Sequence, residues 1–313
     1  MNALVYKSTG SWYQVKDENG KPCNARILGK FKIDGLTSTN PIAVGDQVVI
    51  GSDTESRENN SEVSFVIKEI KKRKNYVTRI SPANKHQHHI IASNIDQSLL
   101  FATLKDPKTS LGFIDRFLIT CEAYHIPAII VFNKNDLYGK KEIEKFTAIK
   151  NIYETIGYKV LAMSIEKGDG VQAVKALLND KVTLLSGHSG VGKSTFINAV
   201  LPELNLKTQD VSGWSGKGLH TTTFAEMYDI AGGGKVIDTP GIRELGLVDI
   251  SKKELSHYFP EMRVLINDCQ FNNCMHINEP GCAVKAAVKA GNIHIDRYSS
   301  YCNILETIVE IKY

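Results

Sequence analysis

The sequence predicts an α/β protein of three parts: a small N-terminal β-barrel, a mostly parallel sheet covered by helices, and a helical C-terminal tail with a cysteine–histidine cluster. Three observations support this prediction. Short strand-like runs fill the first 70 residues, strand-like and helix-like runs alternate between residues 88 and 237, and three of the six cysteines lie within residues 269–282. The expected domains span residues 1–75, 82–248 and 249–313.

The N-terminal part predicts a barrel because its strands are short and closely spaced. Strand-like runs at residues 12–15, 25–32 and 44–50 are separated by segments rich in Gly, Asn and Pro. Such spacing is typical of a small closed barrel. We predict an OB-like (oligonucleotide-binding) barrel, although an SH3-like barrel would give the same pattern. The segment Ser81-Pro82-Ala83-Asn84 is the expected linker to the next part.

From residue 88 onward, apolar strand-like runs alternate with amphipathic helix-like runs. This alternation predicts a mostly parallel sheet with helices on both faces. The predicted strands span residues 98–104, 128–132, 159–163, 182–185 and 235–237. The predicted helices of this part span residues 111–125, 140–156, 170–178 and 195–201.

Composition and charge exclude some classes of protein. Hydrophobic residues make up 42% and charged residues 23% of the chain, as in ordinary globular proteins. No apolar run approaches the roughly 20 residues that cross a bilayer, and the N-terminus lacks the features of a secretory signal. We therefore expect a cytoplasmic protein with no membrane partner, and nothing in the sequence suggests more than a monomer.

One stretch of the chain is strongly basic. Residues 68–80 carry six basic residues and one acidic residue, although the net charge of the whole chain is only +4. A run of this kind serves either as a footprint for nucleic-acid phosphates or as a solvated surface. By itself the run favours the solvated surface.

A phosphate-binding loop follows the predicted strand at residues 182–185. The segment GHSGVGKS at residues 187–194 fits the pattern G-x-x-x-x-G-K-[ST] between a strand and a helix. Its glycines let backbone N–H groups face an anion, and the helix adds its positive end. Lys193 is predicted to reach the β- and γ-phosphates, and Ser194 to bind Mg²⁺. The predicted nucleotide contacts here are Gly187, His188, Ser189, Gly190, Val191, Gly192, Lys193, Ser194 and Thr195.

A second motif, Asn133-Lys134-Asn135-Asp136, indicates which base the nucleotide carries. The Asp136 carboxylate can accept two hydrogen bonds from guanine, at N1–H and the exocyclic amine. Adenine offers neither donor, so a buried Asp136 would lose its partners at a cost of about 1–3 kcal/mol. Asn133 and Lys134 would brace the base and the phosphate loop. N-K-x-D alone is also typical of a helix N-cap, but the phosphate loop makes it a strong indication.

Three further segments complete the expected site. The D-x-x-G segment begins at Asp238, which is expected to hold Mg²⁺ through water, and ends at Gly241, whose amide is expected to sense the γ-phosphate. The polar segment at residues 212–223 suits a region that orders on the γ-phosphate and Mg²⁺. Ser164 occupies the position of a loop that backs the base. One of Thr221, Thr222 and Thr223 should bind the metal; the sequence does not distinguish them, and Thr222 is taken as the catalytic candidate.

The order of these motifs is unusual. Ordinary GTPases begin with the phosphate loop and end with N-K-x-D and the base-backing loop, whereas here both precede the phosphate loop. The parts can still meet in space if the fold is circularly permuted. In that case the D-x-x-G switch lies at the C-terminal end of the domain, next to whatever follows residue 249.

The cysteine–histidine cluster predicts one structural Zn²⁺. Three thiolates and one imidazole within 14 residues match a closed tetrahedral zinc site. Disulfides are disfavoured in the cytosol, and iron–sulfur clusters more often use four cysteines. The predicted ligands are Cys269, Cys274, His276 and Cys282, and two helices are expected at residues 283–291 and 295–312. On the second helix, Arg297, Tyr298 and Tyr301 suit either an RNA surface or packing onto the sheet domain.

The motif order and the flanking domains resemble the ribosome small-subunit-dependent GTPase A family (RsgA, also called YjeQ). The resemblance includes Val44-Gly45-Asp46, Asn94-Ile95-Asp96-Gln97, Ile114-Asp115-Arg116-Phe117-Leu118, His220-Thr221-Thr222-Thr223 and the cysteine–histidine cluster. It implies a circularly permuted P-loop GTPase domain with an N-terminal OB-like barrel and a C-terminal helical zinc domain. The implied cofactors are GTP/GDP with Mg²⁺ and one Zn²⁺. The implied function is GTP hydrolysis stimulated by the small ribosomal subunit, with its rRNA as partner, during late maturation of that subunit.

The catalytic step is less completely specified. Many GTPases place a Gln after D-x-x-G to orient the attacking water, but this chain has Ile242 there, which predicts low intrinsic turnover. The resemblance implies His220 as the water-positioning residue, while a histidine simply lying near phosphates is an equal alternative. The catalytic candidates are Lys193, Ser194, Asp238, His220 and Thr222. The alternative functions are a GTP-gated RNA-binding assembly scaffold and a GTPase acting on another structured RNA such as tRNA.

Overall fold

Thirteen β-strands and seven α-helices lie within the residues that the computed structural model describes, namely 1–10, 12–27, 41–52, 65–80, 88–204, 225–238 and 250–308. The strands are β1 (Asn2–Ser8), β2 (Tyr13–Asp17), β3 (Pro22–Ile27), β4 (Gln47–Ser52), β5 (Phe65–Ile70), β6 (Tyr76–Ile80), β7 (His88–Ser93), β8 (Gln97–Ala102), β9 (Ala128–Phe132), β10 (Lys159–Ala162), β11 (Val182–Ser186), β12 (Glu226–Asp229) and β13 (Lys235–Asp238). The α-helices are α1 (Leu111–Ala123), α2 (Lys140–Thr155), α3 (Val171–Ala176), α4 (Lys193–Val200), α5 (Pro260–Arg263), α6 (Ala283–Lys289) and α7 (Ile295–Thr307). Four 3-10 turns occupy Asn135–Leu137, Pro202–Leu204, Leu255–Tyr258 and Ile266–Asp268.

The first five strands close into a barrel, as predicted. Their order is β1-β2-β3-β5-β4, and β4 pairs back onto β1, so the barrel leaves no free edge. Alternate side chains point inward and form a buried core that includes Val5, Tyr13, Val15 and Ile67. Five strands closed in this way give the OB-like arrangement. The end of the predicted strand at 25–32 lies outside the described residues.

The second part is a six-stranded sheet in the order β10-β9-β8-β11-β13-β12, with all but β12 parallel. Helices α1 and α2 contribute to one buried cluster and α3 and α4 to another, so the helices cover both faces. All six residues of the central strand β8 are buried, which explains the apolar run from Leu99 to Ala102 that ends it. The prediction of a parallel sheet covered on both faces is confirmed.

A buried polar joint connects the barrel to the two-stranded hairpin that β6 and β7 form before the sheet. The carboxylate of Asp46 accepts hydrogen bonds from Arg73 (2.6 Å), from the Ser93 hydroxyl (2.6 Å) and from the Ala43 N–H (2.8 Å). Gly45 is required because its φ is +92° and a Cβ atom there would lie 2.2 Å from the Ser93 carbonyl oxygen. The side-chain amide of Asn94 donates a hydrogen bond to the Gly45 carbonyl oxygen (2.8 Å), so two segments that carried the family resemblance meet at this joint.

The C-terminal part packs against α1. Its buried cluster includes Leu255, Phe259, Tyr301 and Ile304, and Ile119 of α1 belongs to the same cluster. Arg297 is 2% exposed, so an RNA surface is wrong for this residue and packing is right. Tyr301 is buried as well, and Tyr298 is partly buried. None of the helices in the described ranges has the length and apolar character needed to cross a membrane.

Candidate nucleotide-binding site and metal centre

The predicted nucleotide-binding segments follow the carboxyl ends of neighbouring parallel strands. Asn133 follows β9, Ser164 lies just beyond β10, Gly187 follows β11, and Asp238 is the last residue of β13. The central strands β8 and β11 are adjacent, yet β8 leads to β9 on one side and β11 leads toward β13 on the other. Such a switch in direction opens a crevice at the carboxyl edge of the sheet, where ligands bind in folds of this type. The permuted motif order is therefore compatible with one site.

The phosphate loop has a backbone conformation that only glycine adopts readily. Gly187, Gly190 and Gly192 have φ values of +139°, +82° and +100°. A Cβ atom at Gly187 would lie 2.4 Å from the Phe101 carbonyl oxygen, and one at Gly192 would lie 2.2 Å from Asn133 Nδ2. The loop is therefore packed closely against β8 and the N-K-N-D segment. It leads directly into α4, whose first turn presents N–H groups to an anion.

Lys193, the first residue of α4, folds back over this loop. Its Nζ donates hydrogen bonds to the carbonyl oxygens of Gly187 (2.6 Å) and His188 (2.7 Å). Burial lowers the pKa of Lys193 to about 8, and the negative charge of Asp238 works in the opposite direction. The ammonium is thus held where phosphate oxygens would compensate its charge. Ser194 follows it in the first turn of α4, while Ser189 and Thr195 are exposed.

Asn133 links three strand ends. Its buried side-chain amide donates to the Val191 carbonyl oxygen in the phosphate loop (2.8 Å) and accepts from the Ile165 N–H (3.3 Å). Its own backbone N–H donates to the Ala102 carbonyl oxygen at the end of β8 (2.8 Å). One side chain therefore ties the N-K-N-D segment to both the phosphate loop and the base-backing loop.

The rest of the N-K-N-D segment forms a turn. Lys134 has a φ of +64°, and its Nζ contacts the carbonyl oxygen of Asp106 in the loop after β8. The Asn135 N–H donates to the Met163 carbonyl oxygen (3.1 Å). Asp136 is exposed. Its carboxylate is therefore accessible to a base that enters the site.

Ser164 uses its polar groups within the base-backing loop. Its N–H donates to the Asp169 carbonyl oxygen (2.8 Å), and its hydroxyl accepts from the Lys167 N–H (3.1 Å). The side chain is 1% exposed. Ser164 therefore shapes the loop, and the following residue, Ile165, provides the link to Asn133.

The structure also brings together residues that sequence reasoning missed. The ring of Phe113 in α1 stacks on His188 in the phosphate loop, and Asp106 reaches Lys134. Neither belongs to a recognisable motif, because each meets the site only through strand adjacency. Four predicted groups, His220, the threonines at 221–223, Gly241 and Ile242, lie outside the described residues.

The predicted zinc ligands converge. The ligand atoms of Cys269, Cys274, His276 and Cys282 all lie within 4.8 Å of one another. His276 Nδ1 lies 3.7 Å from Cys269 Sγ and 3.4 Å from Cys282 Sγ. In a tetrahedral site with Zn–S of about 2.3 Å and Zn–N of about 2.0–2.1 Å, such N···S distances are about 3.6 Å. The donor set and its dimensions therefore fit Zn²⁺.

Surrounding groups hold the ligand loop in shape. Tyr298 and Tyr301 of α7 donate hydrogen bonds to the carbonyl oxygens of His276 (2.7 Å) and Met275 (2.8 Å). The carboxylate of Glu279 accepts hydrogen bonds from two loop N–H groups at 2.9 Å. Burial lowers the pKa of His276 and favours the neutral imidazole that a metal requires.

Comparisons with known proteins show which family the chain resembles. A family profile described as "RsgA GTPase" matches residues 70–248, and one described as "RsgA N-terminal domain" matches residues 3–58. The chain is 53% identical over 305 residues to the "Small ribosomal subunit biogenesis GTPase RsgA" of Cytophaga hutchinsonii, covering 97% of this chain and 98% of the relative. It is 50% identical over 306 residues to the protein of the same name from Flavobacterium psychrophilum, covering 98% of this chain and 93% of the relative.

Two solved structures are similar over almost their whole length. The crystal structure of YjeQ from Thermotoga maritima superposes with a TM-score of 0.78 at 32% identity, covering 99% of both chains. YloQ, described as a circularly permuted GTPase, superposes with a TM-score of 0.73 at 30% identity, covering 100% of this chain and 96% of that chain.

Proposed function

The chain belongs to the RsgA GTPase family and is a GTPase, and we propose that it hydrolyses GTP at the crevice between β8 and β11 in the biogenesis of the small ribosomal subunit. The single observation that supports this site best is the 2.8 Å hydrogen bond from Asn133 to the Val191 carbonyl oxygen. It joins the guanine-selecting segment to the phosphate loop although the two are 58 residues apart. A single nucleotide can therefore contact both.

We assign the following roles within this proposal. Lys193 contacts the β- and γ-phosphates, while Ser194 and Asp238 hold Mg²⁺. When bound there, Mg²⁺ would supply positive charge that offsets the charge developing on the transferring phosphoryl group. Asp136 accepts hydrogen bonds from guanine, and Asn133 keeps the two loops in register. Phosphoryl-transfer catalysis depends mainly on such positioning and electrostatics.

The finer features of the function follow from the sequence and the family. We propose low intrinsic turnover, because Ile242 cannot orient the attacking water, with His220 and Thr222 completing the site when the small subunit binds. Maturation of that subunit takes place in the cytoplasm, which is where we place the protein, acting as a monomer. The barrel, the exposed Lys72 and the half-buried Lys71 are proposed to contact rRNA phosphates.

Co-sedimentation with purified small subunits tests the proposed partner. We expect the protein to pellet with small subunits in the presence of a non-hydrolysable GTP analogue, and to be released by GDP. Large subunits and bulk tRNA serve as controls, and Lys193→Ala should bind without responding to nucleotide. Equal pelleting with GDP and the analogue would contradict a GTP-controlled association. Preferential binding to tRNA would contradict the small subunit as partner and would favour a GTPase that acts on tRNA.

A further inference from the structure

The contact between Phe113 and His188 connects helix α1 to the phosphate loop. The two rings are stacked, with centroids 3.7 Å apart and planes 27° from parallel. Phe113 lies in the first turn of α1, and His188 is the second residue of the loop. A pair of aromatic rings in contact is a specific interaction that adds to simple burial.

The topology explains why these residues meet. Strands β8 and β11 are neighbours, and α1 follows β8 while the phosphate loop follows β11. The Ser110 hydroxyl caps α1 by accepting a hydrogen bond from the Phe113 N–H (3.2 Å), which defines where the helix starts. The close approach of Gly187 to Phe101 holds the loop against β8 on the other side.

Helix α1 is itself held firmly, so the Phe113 ring has a fixed position. Two residues after Phe113, the buried Asp115 carboxylate binds Arg297 of α7 at 2.5 Å and Tyr153 of α2 at 2.7 Å. Arg297 also binds Glu261 of α5 at 2.7 Å. A contact residue on such a rigid element can impose a geometry on a loop.

His188 transmits this geometry to the charged group of the loop. Its carbonyl oxygen accepts a hydrogen bond from Lys193 Nζ (2.7 Å). A ring held flat against Phe113 limits rotation of the His188 backbone, and so limits the directions of its carbonyl and of the N–H groups beside it. Phosphate loops bind through N–H groups that converge on one anion, so the direction of each peptide matters.

We propose that Phe113 is a positioning residue for the phosphate loop: it holds His188 so that the loop and Lys193 meet the β-phosphate of the nucleotide. This inference rests on the proposed function of the crevice. Loss of the aromatic pair should weaken binding of a nucleoside diphosphate such as GDP by about 2- to 12-fold. GMP, which has no β-phosphate, should be affected little.

The test compares dissociation constants for GDP and GMP, measured by competition, in variants of the full chain. Phe113→Leu should weaken GDP binding by the stated factor and leave GMP binding unchanged, while Phe113→Tyr, which keeps the ring, should restore the wild-type ratio. Phe117→Leu is the matched control, because Phe117 lies one turn along the same helix and packs in the core. It should lower the melting temperature without changing the GMP-to-GDP ratio.

A second variant keeps the test decisive if Phe113→Leu does not fold. His188→Ala removes the other ring and should produce the same selective loss for GDP, and the double variant should lose no more than the larger single loss. Equal losses for GDP and GMP, or an unchanged ratio in both single variants, would overturn the inference. A wild-type protein that does not prefer GDP to ADP would instead overturn the proposed nucleotide site.

Discussion

At the scale of single residues, Lys193 shows how a site can be prepared for an anion. Its buried ammonium is hydrogen-bonded to two carbonyl oxygens, and burial lowers its pKa from 10.5 to about 8. Because the pKa is lowered, the charged form destabilises the fold below about pH 8, and this cost disappears as the pH rises from 8 towards 10.5. A phosphate beside the ammonium would raise the pKa again, so nucleotide binding and protonation are linked.

This linkage predicts how GDP affinity depends on pH. Below about pH 8 Lys193 is already protonated and the dissociation constant for GDP should be constant. Above it the free protein loses this proton, so the dissociation constant should rise by up to about tenfold per pH unit. Binding measurements at pH 7, 8 and 8.8 give the dissociation constant for GDP. The same measurements with GMP control for deprotonation of the guanine base. Identical pH profiles for GDP and GMP would contradict the role of Lys193.

Asp136 is predicted to select the base. In Asp136→Asn the amide replaces one acceptor with a donor, which opposes the exocyclic amine of guanine and favours the O2 carbonyl of xanthine. The cost for GDP should be about 1–3 kcal/mol, since a donor faces a donor. Dissociation constants for GDP and xanthosine diphosphate measure the change. Unchanged selectivity would remove Asp136 from the base contact, and circular dichroism should confirm an unaltered fold.

At the scale of elements, the basic run divides into two groups with different tasks. Arg73 is 10% exposed and binds Asp46, whose side chain is fully buried, and Lys74 pairs with Asp96 at 2.9 Å. Lys72 is exposed. The sequence predicts that the run serves either RNA phosphates or a solvated surface, but two of its six basic residues, Arg73 and Lys74, form ion pairs within the protein.

Two substitutions separate these tasks. Arg73→Ala leaves the Asp46 carboxylate buried without its cation, and should cost about 3–5 kcal/mol of unfolding free energy. Lys72→Ala should leave stability unchanged and reduce the slope of log affinity for small subunits against log salt by about 1. Denaturant unfolding and salt-dependent binding measure the two effects. A stable Arg73→Ala protein would refute the structural role of Arg73. An unchanged slope of log affinity against log salt would show that Lys72 does not contact phosphates.

Elements whose pattern arises locally were predicted well. The parallel strands β8 to β11 are buried on both faces and read as apolar runs, so their positions were found to within about two residues. Strands β1, β5 and β12 were missed, as was the β6–β7 hairpin, because each mixes buried with partly exposed residues and so departs from the apolar pattern of the parallel strands. Likewise, motif chemistry predicted Asn133 and the zinc ligands, while the contact of Phe113 with the loop depends on strand order and has no local pattern.

At the scale of the whole molecule, helix α1 belongs to two domains at once. It covers the parallel sheet through Ile114 and Leu118, and it contributes Ile119 to the core of the C-terminal part. The buried ion pair between Asp115 and Arg297 joins the same two parts. The zinc-binding region is therefore packed onto the nucleotide-binding domain by both apolar and charged contacts.

Loss of one zinc ligand should consequently lower the stability of the whole protein. Cys282→Ser removes a ligand whose sulfur also accepts a hydrogen bond from Lys285 N–H at the start of α6 (3.4 Å). We expect zinc content to fall from one ion per chain towards zero, with a lower melting temperature. Cys302→Ser is the control, because Cys302 lies on α7 outside the ligand cluster. Full zinc content in Cys282→Ser would contradict the assigned ligand set.

The most direct test of the proposed function is steady-state GTP hydrolysis by the purified protein, alone and with equimolar small subunits, large subunits or bulk tRNA, with ATP as the nucleotide control. We predict slow turnover by the protein alone, strong stimulation by small subunits only, no hydrolysis of ATP, and no activity in Lys193→Ala. A rate that small subunits leave unchanged, or that tRNA stimulates instead, would contradict the proposed function.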